Sequence, residues 1–143
     1  GVFGLLGHFV LISSLMNDAD LPHLVIGACL NVHGRLGPGL FREAYEECMA
    51  IELRELEMDF RRAVPLDFTY REHEVKNAAR LDFIVQGGLL LMVRAQEQVT
   101  ALEKQQFESV LRLSGLRGGM LVNFNVPVLR KGVHRVMLKR RES

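Results

Sequence analysis

Arg80 to Thr100 reads RLDFIVQGGLLLMVRAQEQVT, and the alternation within it decides the fold. Leu81, Phe83 and Val85 alternate with Asp82 and Ile84; Leu89, Leu91 and Val93 alternate with Leu90, Met92 and Arg94. Period-two alternation on both sides of Gln86-Gly87-Gly88 predicts a β-hairpin. A two-residue Gly87-Gly88 turn would set Asp82 across from Val93, slipping a carboxylate into the apolar set. A three-residue loop, Gln86 to Gly88, sets Asp82 across from Met92 and keeps residues 81/83/85 and 89/91/93 on one face. The longer loop is therefore expected, with Asp82, Met92 and Arg94 in a row on the opposite, exposed face.

Working outward, Thr100 with Glu103 three residues on forms a capping box for a helix carrying Leu102, Phe107, Val110, Leu111 and Ser114, which stops at Gly115. Gly119 to Asn125 is an apolar run that predicts a central strand. Val133 to Leu138 adds an edge strand, and Lys139-Arg140-Arg141 ends the chain in solvent. Before the hairpin, Asp20 and Pro22 begin a helix whose apolar repeat is Leu21, Leu24, Val25, Ala28 and Val32, ending at the glycines of HGRLGPGL. A second helix starts near Leu40. Phe41, Ala44, Tyr45, Cys48, Leu53 and Leu56 are expected on its inner side and Glu43, Glu46, Glu47 and Arg54 on its solvated side. Phe60 to Leu66 and Asp67 to Glu72 read as strands, with His73 to Ala78 a turn into the hairpin. The order helix, helix, strands, hairpin, helix, strand predicts an α/β fold with a mixed sheet flanked by helices.

At 143 residues, 48% of them hydrophobic and 24% charged, the chain is sized for one globular domain. Residues 1–15 differ in composition from the rest: an apolar run too short to span a membrane, without a basic start or a small-residue cleavage site. They are expected to be a non-native or disordered extension ahead of Met16-Asn17-Asp18, leaving residues 16–143 as the domain. Two cysteines, Cys29 and Cys48, make no disulfide framework and read as buried thiols, which fits a reducing cytoplasm. Charge is uneven: from Lys104 onward there are nine Lys/Arg against two Glu, while residues 1–103 hold nine Lys/Arg against fifteen Asp/Glu. A basic C-terminal part suits an anionic partner such as DNA or RNA. His8, His23, His73 and His134 show no zinc-ligand spacing; His33 is expected to hydrogen-bond the glycine turn that follows it.

The stretches IGACLNVHGRLGPGLFREAYE, ARLDFIV, LLLMVRAQEQVT and GLRGGMLVNFNVP resemble the GxxExxY family of small bacterial proteins in the PD-(D/E)XK nuclease superfamily. The resemblance spans about Asp20 to Leu138 and implies a restriction-endonuclease-like fold. It further implies a Mg²⁺ or Mn²⁺ site, in which an acid on one hairpin strand and an E-x-K on the next surround a metal that polarises a phosphodiester and activates water. Carried over residue by residue, Asp82 matches the hairpin acid, Gln106 the glutamine of the following helix, and His33 and Tyr45 the pattern around Gly-Pro-Gly. Met92 stands at the glutamate of E-x-K, Arg94 at its lysine, and Arg42 at the glutamate of the early helix. The residual catalytic set is thus Asp82, Arg94 and Gln106, with Asp82 the remaining metal ligand and a weak one. Arg42, Arg94, Lys139 and Arg140 become the expected nucleic-acid contacts. The expectation is a catalytically impaired nuclease-like protein that binds nucleic acid and holds no metal tightly. Two readings compete with it: an active nuclease using the relocated acids Glu43 and Glu97, and a protein-interaction or homodimerising domain.

Overall fold

In the computed structural model, which describes residues 20–139, two helices precede a five-stranded sheet and a third connects two of its strands. The elements are α1 (Asp20–Leu36), α2 (Arg42–Glu55), β1 (Phe60–Tyr70), β2 (His73–Val85), β3 (Leu89–Arg94), α3 (Ala101–Ser114), β4 (Gly118–Asn123) and β5 (Val133–Met137). A short 3-10 turn, Leu129–Gly132, precedes β5. The expectations for residues 1–15 and for Arg140 fall outside the described residues.

The sheet order is β1-β2-β3-β4-β5, antiparallel throughout except for the parallel pair β3/β4. That pair needs a crossover, and α3 supplies it. The hairpin pairs Phe83 with Leu91, Ile84 with Leu90 and Val85 with Leu89, so the loop is the three residues Gln86 to Gly88. Gln86 and Gly87 both take left-handed φ there, 53° and 66°. β4 lies between β3 and β5 and is buried along its whole length, as its unbroken apolar run anticipates.

Two apolar layers sandwich the sheet. On one face α1 and α2 bury Val25, Cys29, Tyr45, Met49 and Leu53 against Phe83, Val85, Leu91, Val93, Met120 and Val122. Each such side chain contributes about 1.5–3 kcal/mol by leaving water. Cys29 lies in this layer, and burial pushes its thiol up to about 12; Cys48 is only half-buried. On the other face α3 packs Phe107 and Leu111 onto Leu90, Met92 and Leu121. Gly119 makes that approach possible, since a Cβ there would lie 2.9 Å from the Phe107 ring and 3.0 Å from the Leu90 carbonyl.

Several expectations are corrected. His73–Ala78 is strand, not turn: β2 begins at His73 and carries a bulge over residues 76–78, where Asn77 takes φ 56°, and the reversal is Arg71-Glu72, closed by the Tyr70↔His73 pair. Leu81 does not join Phe83 and Val85; it packs under α3 with Leu66 and Leu90. β3 pairs with β2 only as far as Phe83, so beyond it β1 and β2 continue as a two-stranded ribbon, and such ribbons twist more than sheets. Ala63, with φ 51°, sharpens the bend opposite Asp82. Further along, Pro65 pairs with Arg80, and the register shifts between Leu66 and Phe68. Phe41 and Leu102, expected to face inward, are exposed. Glu46 and Asp82, expected on solvated faces, are buried at 4% and 2% exposure.

Candidate functional site

The bend of β2 and the start of α2 bring the site together. Asp82 stands where the β1–β2 ribbon leaves the sheet, β3 ends beside it, α3 covers it, and the first turn of α2 closes the mouth. A cleft of about 490 Å³ results, lined by Arg42, Arg80, Asp82, Met92, Arg94 and Gln106 among others. Five positions singled out in the sequence (42, 82, 92, 94 and 106) therefore share one cavity. Lys139 does not line it; it is exposed after β5.

The carboxylate of Asp82 is almost wholly occupied by protein donors. Its Oδ2 accepts the Val93 backbone N–H at 2.9 Å and Arg94 Nη1 at 3.3 Å. Its Oδ1 accepts Arg80 Nη1. The Asp82 backbone N–H donates to the Met92 thioether at 3.4 Å. Arg94 Nη1 also donates to the Val93 carbonyl at 2.9 Å, which folds the guanidinium back over the strand end.

A second buried acid stands close by. Glu46, one turn along α2 from Arg42, accepts Arg80 Nη1 at 3.2 Å on Oε1 and Nη2 at 3.4 Å on Oε2. Arg42 and Arg62 reach it at 3.8 and 4.0 Å. The hydrogen bond to Glu46, with Asp82 adding to it, raises Arg80 above the ordinary arginine range. Sequence reasoning missed both Glu46 and Arg80. By pattern Glu46 belongs to a charged helix face; its i,i+4 spacing from Arg42 is the available signal. Arg80, two residues before Asp82 on a strand, shares its side by periodicity.

The relocated-acid candidates lie elsewhere. Glu43 has a side chain 72% exposed and meets Arg42 at 3.8 Å. Glu97 lines a separate cavity with Lys104, Lys131 and His134. Beside the cleft, a hydrogen-bonded cluster ties the end of β3 to β4 and α3. Asn123 accepts the Gln96 and Asn125 backbone N–H groups and donates to the Gln96 carbonyl. Glu103 accepts Gln96 Nε2 at 2.7 Å on both oxygens. Partial burial pushes Glu103 up, but the bonds from Gln96 and Thr100 outweigh it and hold the carboxyl below its usual range. Thr100 and Glu103 complete the expected capping box.

On the α2 side, Tyr45 Oη donates to the Gly37 carbonyl at 2.6 Å and accepts the Leu40 N–H, fixing the Gly37-Pro38-Gly39 turn that aims α2. Tyr45 stacks on Phe124 at 4.8 Å. His33 bonds the glycine turn as expected, its carbonyl accepting the Gly37 N–H at 2.8 Å, while its ring bonds the Val126 carbonyl at 2.7 Å. Asn125 also contacts the turn, accepting the Gly39 N–H.

Among the described residues, no group of three or more His, Cys, Asp or Glu side chains is gathered to hold a metal ion. None of their helices is long and apolar enough to cross a membrane. A sequence model described as PD-(D/E)XK nuclease superfamily matches residues 19–136. No curated protein and no solved structure matches.

Proposed function

Because the chain belongs to the PD-(D/E)XK nuclease superfamily, we propose that it is a GxxExxY-type member with a degenerate site, one that binds DNA or RNA and does not cleave it. The observation that carries this reading is the surroundings of Asp82. A hard divalent cation takes carboxylate, carbonyl and water oxygens. Here the neighbouring strand offers a thioether, Met92, which already accepts the Asp82 N–H. The Asp82 oxygens are engaged by a backbone amide and two guanidiniums. These residues do not fit Mg²⁺ or Mn²⁺, and metal-activated hydrolysis has no support in this donor set.

Recognition survives the change better than chemistry does. Arg42 is at the cleft, its side chain 39% exposed, and both its ion pairs are long at 3.8 Å. Most of its donors are thus available for the planar, bidentate contact that guanidinium makes with phosphate. Arg94 is held in orientation by Asp82, and Gln106, exposed on α3 at the cleft wall, offers a neutral polar contact. The basic C-terminal part, including Lys139 and Arg140, adds long-range attraction for a polyanion.

Two measurements test the reading. In a mobility shift with duplex DNA and single-stranded RNA, affinity should fall as salt rises, and Arg42→Ala should reduce the salt slope by about one. Supercoiled plasmid with Mg²⁺ or Mn²⁺ should stay intact. Cleavage that needs both metal and Asp82 would overturn the degenerate site. Absence of any shift at low salt would overturn the binding role and leave a protein-interaction or dimerising domain.

A further inference from the structure

Arg80 is a long cation that reaches inward from the rim of the cleft. Its own side chain is 44% exposed, whereas the two carboxylates that it touches, Glu46 and Asp82, are 6% and 1% exposed. One nitrogen, Nη1, is shared between Glu46 Oε1 and Asp82 Oδ1, and Nη2 meets the second oxygen of Glu46. The two acids come from different elements, α2 and β2. Without a cation between them they would be a pair of buried like charges, which repel and lose hydration together. The other arginines nearby do less: Arg42 and Arg62 approach Glu46 only at 3.8 and 4.0 Å, and Arg94 bonds Asp82 alone.

We propose that Arg80 is the resident cation of this site: its guanidinium fills the place between Glu46 and Asp82 that a divalent ion would take, and so excludes one. With Arg80 gone, Glu46 and Asp82 would be the two carboxylates left to hold an ion, and Glu46 would have to close in from the 3.2 Å at which its Oε1 meets the shared nitrogen. On this account the loss of the second hairpin acid is only part of why metal is refused, and the cleft carries a latent two-carboxylate position masked by its own side chain. The inference rests on the function proposed above only in taking the cleft as the counterpart of a metal site. Its readout is cation binding and stability with no nucleic acid present, so either proposal can fail without the other.

The test uses the full chain, Mn²⁺ as the probe, electron paramagnetic resonance to count free ion, and thermal melts with and without Mn²⁺. The parent and Arg80→Lys, which keeps the charge, should leave the free-Mn²⁺ signal and the melting temperature unmoved. Arg80→Ala and Arg80→Gln should melt lower than the parent, bind Mn²⁺ about tenfold or more tightly than it does, and regain melting temperature when Mn²⁺ is added. A second change, Asp82→Asn, should abolish that gain in either background. Arg80→Gln keeps amide donors for both carboxylates, so it carries the test if Arg80→Ala does not fold. Folded Arg80→Gln that takes up no Mn²⁺, or a parent that binds Mn²⁺ as well as the variants do, overturns the proposal.

Discussion

The carboxylate of Asp82 holds a backbone amide and two guanidiniums, so removing it strands three donors at a side chain only 1% exposed. Asp82→Ala is expected to lower stability by about 2–4 kcal/mol, read as a shift of the urea midpoint at constant slope. An acid kept only for chemistry would behave differently, since deleting a strained catalytic charge is commonly neutral or stabilising. An unmoved midpoint would show that Asp82 is not structural. At this scale the sequence was legible where one periodicity governed the outcome: the hairpin register placed Asp82, Met92 and Arg94 together because a slip would have put a charge among apolar residues. It was illegible where a charge is buried by pairing. The pattern of α2 separates Glu46 from Glu47 only by Arg42 one turn before it, yet one is 4% exposed and the other sits on the surface beside Arg62. What buries Glu46 is Arg80, thirty-four positions away in sequence.

Among the elements, the β1–β2 ribbon departs furthest from expectation, and the reason is local. Arg71 and Glu72 form a two-residue loop in which both residues take positive φ, 47° and 70°. Such a loop favours Asn-Gly or Asp-Gly; Arg-Glu gives no signal that would mark it. Hence the sequence places the reversal over His73 to Ala78, just past its true position. Arg71→Asn combined with Glu72→Gly should relieve the strained conformations and raise stability by about 1 kcal/mol, measured by thermal melting against the parent. A lower melting temperature would mean that the two side chains contribute contacts outweighing their backbone strain. α3 was legible at both ends because its stop and start are chemical: the Thr100 box at one, and Gly115 in the left-handed conformation, φ 78°, at the other. Leu102, in the first turn of α3, is exposed and stays outside the layer that Phe107 and Leu111 form.

For the molecule as a whole, element order and apolar runs were enough to give a helix-flanked mixed sheet, since a parallel β3/β4 pair separated by one helix has few ways to close. The path of the ribbon past the sheet was not legible, because twist and a single left-handed alanine leave no trace in hydropathy. That ribbon also forms one border of the sheet. β1 is an outer strand eleven residues long, long enough for a neighbouring chain to extend the sheet. It is, however, a broken template: Ala63 turns its peptide out of line, Pro65 carries no N–H, and between Leu66 and Phe68 the pairing with β2 is irregular, three residues of β2 standing against one of β1. The opposite border, β5, offers only five residues. The colloidal behaviour of the protein should follow from these interruptions. Ala63→Val with Pro65→Val would restore a straight row of donors, and the variant is expected to form thioflavin-positive, strand-paired particles in static light scattering at concentrations where the parent stays monodisperse. Equal scattering from the two would mean that solubility is guarded elsewhere on the surface.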